Sequence, residues 1–191
     1  MGSGLEQELK FRVGSLEVLR GLLSQHGAHR ESPPDLERNW VLDDVAGSLR
    51  ARGVLLRVRT WGCKAWLTFK GPATFEGGIK SRQEIETEVA NGEVTLAILS
   101  AVGFAVAFYY EKKRELWRWG DVAVALDETP MGSFVELEGP PGALAPCARS
   151  LGLELDHGLR ASYLELWGEH RRRYPRAPAF MVFSSSGPTE G

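Results

Sequence analysis

The sequence predicts an α+β fold dominated by antiparallel β-structure, a barrel or sandwich with helices added. Two observations lead there. Many short runs alternate between apolar and charged residues with a period of two, while stretches with helical spacing are few and brief. Turn-forming Gly, Pro and Asn residues separate the runs at short intervals, as hairpins require.

Residues 5–13 alternate and read as a first strand. Ser15 can cap the helix that follows, whose stripe is Leu16, Leu19, Leu22 and Leu23, and Gly27 is its stop. Residues 31–37, polar and with two prolines, read as a loop, and 38–43 as a strand. Strands are expected at 54–60, 64–70 and 82–89, with a Gly-rich mobile connection at 71–80. A helix at 93–102 ends at Gly103. Strands at 105–111, 112–119, 121–127 and 133–138 follow, and Pro140–Pro141 stops the last. Short helices are expected at 144–151 and 160–172. The chain then divides into a folded domain, 5–173, and a flexible tail, 174–191, rich in Pro, Ser and Gly. The apolar cluster 180–183 within that tail is able to dock back on the body, and residues 1–4 read as a loose start.

The bulk composition narrows the function. The 191 residues are 43% hydrophobic and 25% charged, suited to one soluble domain with a real core. A net charge of −2 argues against general affinity for nucleic acid or anionic membrane. The longest nearly apolar stretch, 98–110, is shorter than the roughly 20 residues a membrane helix needs. Nothing at the start has the pattern of a secretion signal, so a cytoplasmic location is the default. Cys63 and Cys147 lack metal-ligand spacing, and they read as incidental or buried thiols. His26, His29, His157 and His170 also lack metal-spaced partners.

Alternation sorts the charges onto single faces. Glu6, Glu8, Lys10 and Arg12 share one face and Leu9, Phe11 and Val13 the other. Arg57 and Arg59 oppose Leu56 and Val58. Lys64, Trp66, Thr68 and Lys70 oppose Ala65, Leu67 and Phe69. Arg82, Glu84, Glu86 and Glu88 oppose Ile85 and Val89. Lys112 pairs with Arg114, and Phe134, Glu136 and Glu138 share a face. Any single strand fits a solvated outer face. The set as a whole is unusual in carrying almost no Ser, Asn or Gln and in being sorted by sign. Lys and Arg neutralise phosphoryl oxygens. Clustered Glu beside phosphate needs a hard divalent cation between them, with Mg2+ or Mn2+ suited to the chemistry.

These residues resemble a family. Glu6-Gln7-Glu8-Leu9-Lys10 fits the Glu-x-Glu-x-Lys signature of CYTH proteins, the triphosphate tunnel metalloenzymes. Further matches follow in order: Leu56-Arg57-Val58-Arg59, Leu67-Thr68-Phe69-Lys70-Gly71-Pro72, Arg82-Gln83-Glu84-Ile85-Glu86, Lys112-Lys113-Arg114, Leu126-Asp127, and 132–138. The resemblance implies an eight-stranded antiparallel tunnel open at both ends. By carry-over, Glu6, Glu8, Glu136, Glu138 and Asp127 would hold metal. Lys10, Arg57, Arg59, Lys70, Lys112 and Arg114 would bind a small-molecule triphosphate, with Arg160 a looser match. Glu84 and Glu86 would assist the metal or pair with lumen cations. Lys70 is the candidate base, given a pKa depressed by neighbouring cations. The implied activity is a metal-dependent triphosphatase acting on tripolyphosphate, thiamine triphosphate or a nucleoside triphosphate. A class IV adenylyl cyclase and a non-catalytic polyphosphate-binding module are the alternatives. The oligomeric state stays open, a homodimer included.

Overall fold

Eight antiparallel strands close on themselves because their charged faces turn inward and their apolar faces turn out to be covered by helices. The structure, a computed structural model, describes residues 2–183. In chain order the strands are β1 (Gly2–Val13), β2 (His29–Asp43), β3 (Leu55–Trp61), β4 (Lys64–Lys70), β5 (Thr74–Glu76), β6 (Ile79–Val89), β7 (Ala105–Trp119), β8 (Val122–Thr129) and β9 (Gly132–Glu138). The helices are α1 (Leu16–Gln25), α2 (Ser48–Ala51), α3 (Gly92–Ala101), α4 (Pro141–Ser150) and α5 (Tyr163–Arg173), with one 3-10 turn at Leu155–His157. Neighbours run β1-β9-β8-β7-β2-β3-β4-β6, and pairing of β1 with β6 closes the barrel. The short β5 continues along the edge of β6 where β4 stops, pairing Thr74 with Ser81.

The main core lies outside the barrel wall. Leu9 and Phe11 from β1, Val122, Val124 and Leu126 from β8, and Val135 and Leu137 from β9 meet Leu19 and Leu23 of α1, Leu144, Cys147 and Ala148 of α4, and Leu151 just after it. Burial of these side chains supplies the drive that an ordinary barrel draws from its interior. The expected caps are present: Ser15 accepts from the Val18 N–H, and Gly27 ends α1 with φ of 73°. Gly92 lets α3 approach the sheet, since a Cβ there would sit 3.1 Å from Thr60 and 3.3 Å from Ala65.

A second cluster fills one end of the lumen. Val41, Phe108, Tyr110 and Phe134, all on inward-facing positions, pack with Met131 and with Tyr163, Leu166 and Trp167 of α5. The barrel is therefore closed at that end, where the resemblance implied an opening. Met181 seals the cluster from outside. Its N–H donates to Tyr109 O at 3.2 Å and its carbonyl accepts from Glu111 N–H at 2.8 Å, along the stretch of β7 that extends past the first β8 pair, Lys113 with Glu128.

Several expected boundaries differ. Residues 31–37 belong to β2 instead of a loop. Register shifts against β7 between Arg30, Ser32 and Asp35 absorb the two prolines, which cannot donate to a ladder. The expected strands 105–111 and 112–119 are one continuous β7, and the 71–80 connection contains β5 and the start of β6. The expected loose start is part of β1 from Gly2 to Gly4, which pair with Glu86 to Glu84 of β6. Met1 and residues 184–191, the latter part of the expected flexible tail, lie outside the described residues. Both cysteines are free, Cys63 exposed and Cys147 buried. Among the described residues no helix is long and apolar enough to cross a membrane.

The outside core makes a contrast that denaturant unfolding can read. Leu23 is fully buried, whereas Val94 on α3 is 55% exposed. Leu23→Ala should cost roughly 2–5 kcal/mol, and Val94→Ala should stay within about 0.5 kcal/mol.

Candidate active site in the barrel lumen

The lumen encloses a cavity of about 450 Å³. Eight cations line it: Lys10, Arg57, Arg59, Lys70, Lys80, Arg82, Lys112 and Arg114. Six carboxylates face them: Glu6, Glu8, Glu84, Glu86, Glu136 and Glu138. Glu37 and Asp127 lie behind this lining, both with no exposed surface. The cations and carboxylates come from β1, β3, β4, β6, β7 and β9, each placed there by strand alternation.

The charges divide into three groups. Nearest the closed end, Asp127 accepts from Arg114 Nε and Nη2, both at 2.7 Å, from Lys112 Nζ at 3.1 Å and from the Tyr163 hydroxyl at 2.8 Å. Glu136 joins the same group through Lys10 Nζ at 3.1 Å and a bond from Arg114. Burial disfavours the charge on Glu136, but Lys10, Lys112 and Arg114 outweigh it and hold the carboxyl well below the ordinary range. Glu37 behaves likewise. Burial opposes its charge, and Lys112, Arg114 and Arg59 overcome it.

A second group surrounds β3. Arg59 Nη2 donates to Glu86 at 2.9 Å and its guanidinium lies 4.7 Å from the centre of the Trp66 ring. Arg57 donates to the Tyr110 hydroxyl at 3.2 Å and to Asn39 at 3.3 Å. The Nε–H groups of both arginines are buried without a hydrogen-bond partner.

The third group is a carboxylate cluster. One oxygen each from Glu6, Glu84 and Glu138 lies within 4.8 Å of the others. Lys70 Nζ donates to Glu6 at 2.5 Å and lies 3.3 Å from Glu84. The second oxygen of Glu6 is buried and unpartnered. Burial, then the charge of Glu6, push the Glu138 carboxyl up to about 6.

The structure thus brings eleven of the twelve predicted residues together: ten line the cavity and Asp127 stands behind it. Arg160 is the exception. It is exposed, outside the lining, and stacks 5.5 Å from the Phe75 ring of β5. The predicted metal set is split: Glu6 and Glu138 converge with Glu84, while Glu8 is bonded to Lys80 at 2.7 Å and Glu136 and Asp127 are engaged by cations. Lys70 has carboxylates for close neighbours in place of the cations its expected role as base relied on. Glu37, Lys80 and Tyr163 were missed. Lys80 was legible by carrying the Arg82-Glu84-Glu86 alternation one step back, and Glu37 by carrying the 38–43 strand back. Tyr163 had no signal, because its position depends on where α5 docks.

A model of the CYTH domain matches residues 4–142. The chain belongs to the CYTH domain family. A Methanocaldococcus jannaschii protein named "putative adenylate cyclase" is 28% identical over 175 residues, 86% of this chain and 99% of the relative. A structure described as a "putative adenylate cyclase" from Vibrio parahaemolyticus superposes with a TM-score of 0.76 at 21% identity, covering 86% of this chain and 98% of the other. A Hippeastrum structure, described as a "putative adenylyl cyclase" with a dominant triphosphatase activity, gives 0.66 at 19% identity, covering 86% and 96%. Members of the CYTH family are divalent-metal-dependent phosphoryl-transfer proteins.

The residues present fit such an ion. Glu6, Glu84 and Glu138 form a hard oxygen set, and one Glu6 oxygen is buried without a hydrogen-bond partner. A carboxyl whose folded pKa is raised stabilises the fold below its unfolded pKa and loses that contribution as pH rises through the folded value. For Glu138 the loss falls between the ordinary 4.5 and about 6. A bound cation would offset it once the carboxylate is charged. The gain in melting temperature on adding Mn2+ should therefore be small at about pH 5 and grow towards about pH 7. A gain that shrinks over that range would remove Glu138 from the metal site.

Proposed function

We propose that this chain is a divalent-metal-dependent triphosphatase acting on a small-molecule triphosphate. The observation that carries the reading is a pair of complementary vacancies in hydrogen bonding within one cavity. The Arg57 and Arg59 Nε–H groups lack an acceptor and the second oxygen of Glu6 lacks a donor. An anion alone leaves Glu6 unsatisfied, and a cation alone leaves the arginines so. A polyphosphate together with Mg2+ or Mn2+ satisfies both.

The chain's own residues divide the work. Arg57, Arg59, Lys10, Lys112 and Arg114 grip phosphoryl oxygens and stabilise the negative charge of the transferring group. Glu6, Glu84 and Glu138 would hold the divalent ion, with Glu8 and Glu136 nearby in the same lining. When bound, that ion supplies further charge neutralisation at the phosphoryl oxygens. A water beside the carboxylate cluster meets the Lys70 ammonium as a donor that orients it.

A second reading, an adenylyl cyclase, is favoured by one specific feature. Leu5, Leu116, Ala123 and Ala125 give the same cavity an apolar wall, a surface on which a nucleobase can rest. The two reactions part at the product. With ATP and Mn2+ or Mg2+, the triphosphatase yields ADP and phosphate, whereas the cyclase yields cyclic AMP and pyrophosphate. A binding module would be stabilised by tripolyphosphate without releasing phosphate.

Arg57→Ala should weaken tripolyphosphate binding about 10- to 100-fold, read as the concentration dependence of the melting temperature. Glu136→Ala combined with Glu138→Ala should abolish metal-dependent phosphate release. Turnover that survives the double substitution would sink the assignment of these carboxylates.

A further inference from the structure

The closed end of the barrel has a consequence for which polyphosphates can enter. Tyr163 stands where the charged cavity meets the apolar plug. Its hydroxyl donates to Asp127 at 2.8 Å, and its ring lies 4.3 Å from Lys10 Nζ and 5.0 Å from Lys112 Nζ. Behind it the lumen is filled by apolar and aromatic side chains: Phe134 meets the ring edge-on at 5.3 Å, and Val41, Phe108, Leu166 and Trp167 are each less than 10% exposed. Tyr163 is thus the floor of the cavity, with two ammonium groups resting on its face.

We infer that Tyr163 makes the lumen a blind pocket, so that this chain takes polyphosphate only by its end and discriminates by chain length. This rests on the reading of the lumen as a polyphosphate site. A terminal phosphoryl group has three non-bridging oxygens and up to two negative charges, where an internal group has two oxygens and one charge. The end group therefore offers the most acceptors to Arg57, whose Nε–H has no partner and whose guanidinium is held by Tyr110 beside the Tyr163 ring. A chain threaded through the barrel would have to carry charged groups through the apolar plug. That desolvation has no compensating partner among Val41, Phe108, Phe134 and Leu166.

The test is stoichiometry. The full chain with Mn2+ is mixed with tripolyphosphate or with linear polyphosphates of defined length, and the mass of the complexes is read by light scattering. End-on binding gives at most two copies on any long chain, however long, and Arg57→Ala weakens the binding of both about 10- to 100-fold. Copies that increase with chain length and depend on Arg57 mean threading, and overturn the proposal. Failure of tripolyphosphate itself to bind is visible in its own arm, and overturns the polyphosphate reading together with the floor. Variants give an independent measure. Tyr163→Phe keeps the ring and should retain the wild-type preference for tripolyphosphate over tetrapolyphosphate. Tyr163→Ala deepens the pocket and should shift that affinity ratio about tenfold towards the longer compound. An unchanged ratio in a folded Tyr163→Ala protein would show that the floor lies elsewhere.

Discussion

Mutual neutralisation of charge inside the barrel is the constraint on which the rest depends. Lys112 and Glu115 are alike in being almost wholly buried, but Lys112 sits in the lumen within reach of Asp127, Glu37 and Glu136. An isolated buried ion costs several kcal/mol, and only a closely matched array tolerates so many. The array in turn dictates the architecture. With the lumen given over to ions, the apolar faces of β1, β8 and β9 have nowhere to go but outward, so α1 and α4 become necessary parts of the core. Glu115 shows the same rule on the outer face, where Arg20 and the Trp117 indole N–H satisfy it beneath α1.

The array is nearly but not completely satisfied, and the remainder is where function enters. Most lumen carboxylates have a cation at bonding distance. Glu6 keeps one oxygen without a hydrogen-bond partner, and two arginines keep an N–H unspent. These residual demands are opposite in sign and lie in one cavity. A fold that stabilised itself fully through internal pairs would have no reason to bind anything there. The incomplete pairing separates a binding site from a merely stable interior.

How much of this was legible in the sequence depended on distance along the chain. Period-two alternation is local, so the inward faces of β1, β3, β4, β6 and β9 could be read without knowing their partners. The ordered motifs then brought in the closed barrel. What failed was of two kinds. Pro33 and Pro34 disguised the first half of β2, because a bulged strand has the composition of a loop, and Glu37 was lost with it. The pairing of carboxylates was also beyond reach. Glu6 meets Glu84 and Glu138 through the β1–β6 and β1–β9 register, while Glu8 and Glu136 are drawn off by Lys80 and Lys10. Alternation says that a side chain points inward, and only register says what it meets. The position of α5 is a still longer-range fact, which is why Tyr163 and the closed end left no trace in the pattern.

The short pairing of Met181 with Tyr109 and Glu111 bears on how the chain survives unpaired stretches of sheet. A closed barrel has no edges in principle, yet β7 outruns β8 here and would present bare amide and carbonyl groups beside the apolar residues of the plug. Such a strip is a template on which another chain can add a strand. The C-terminal segment occupies it from within the same molecule. A protein cut back before residue 181 keeps its entire ionic interior yet gains a sticky margin. Its loss would be felt first in solubility and self-association, ahead of any change in the chemistry of the lumen.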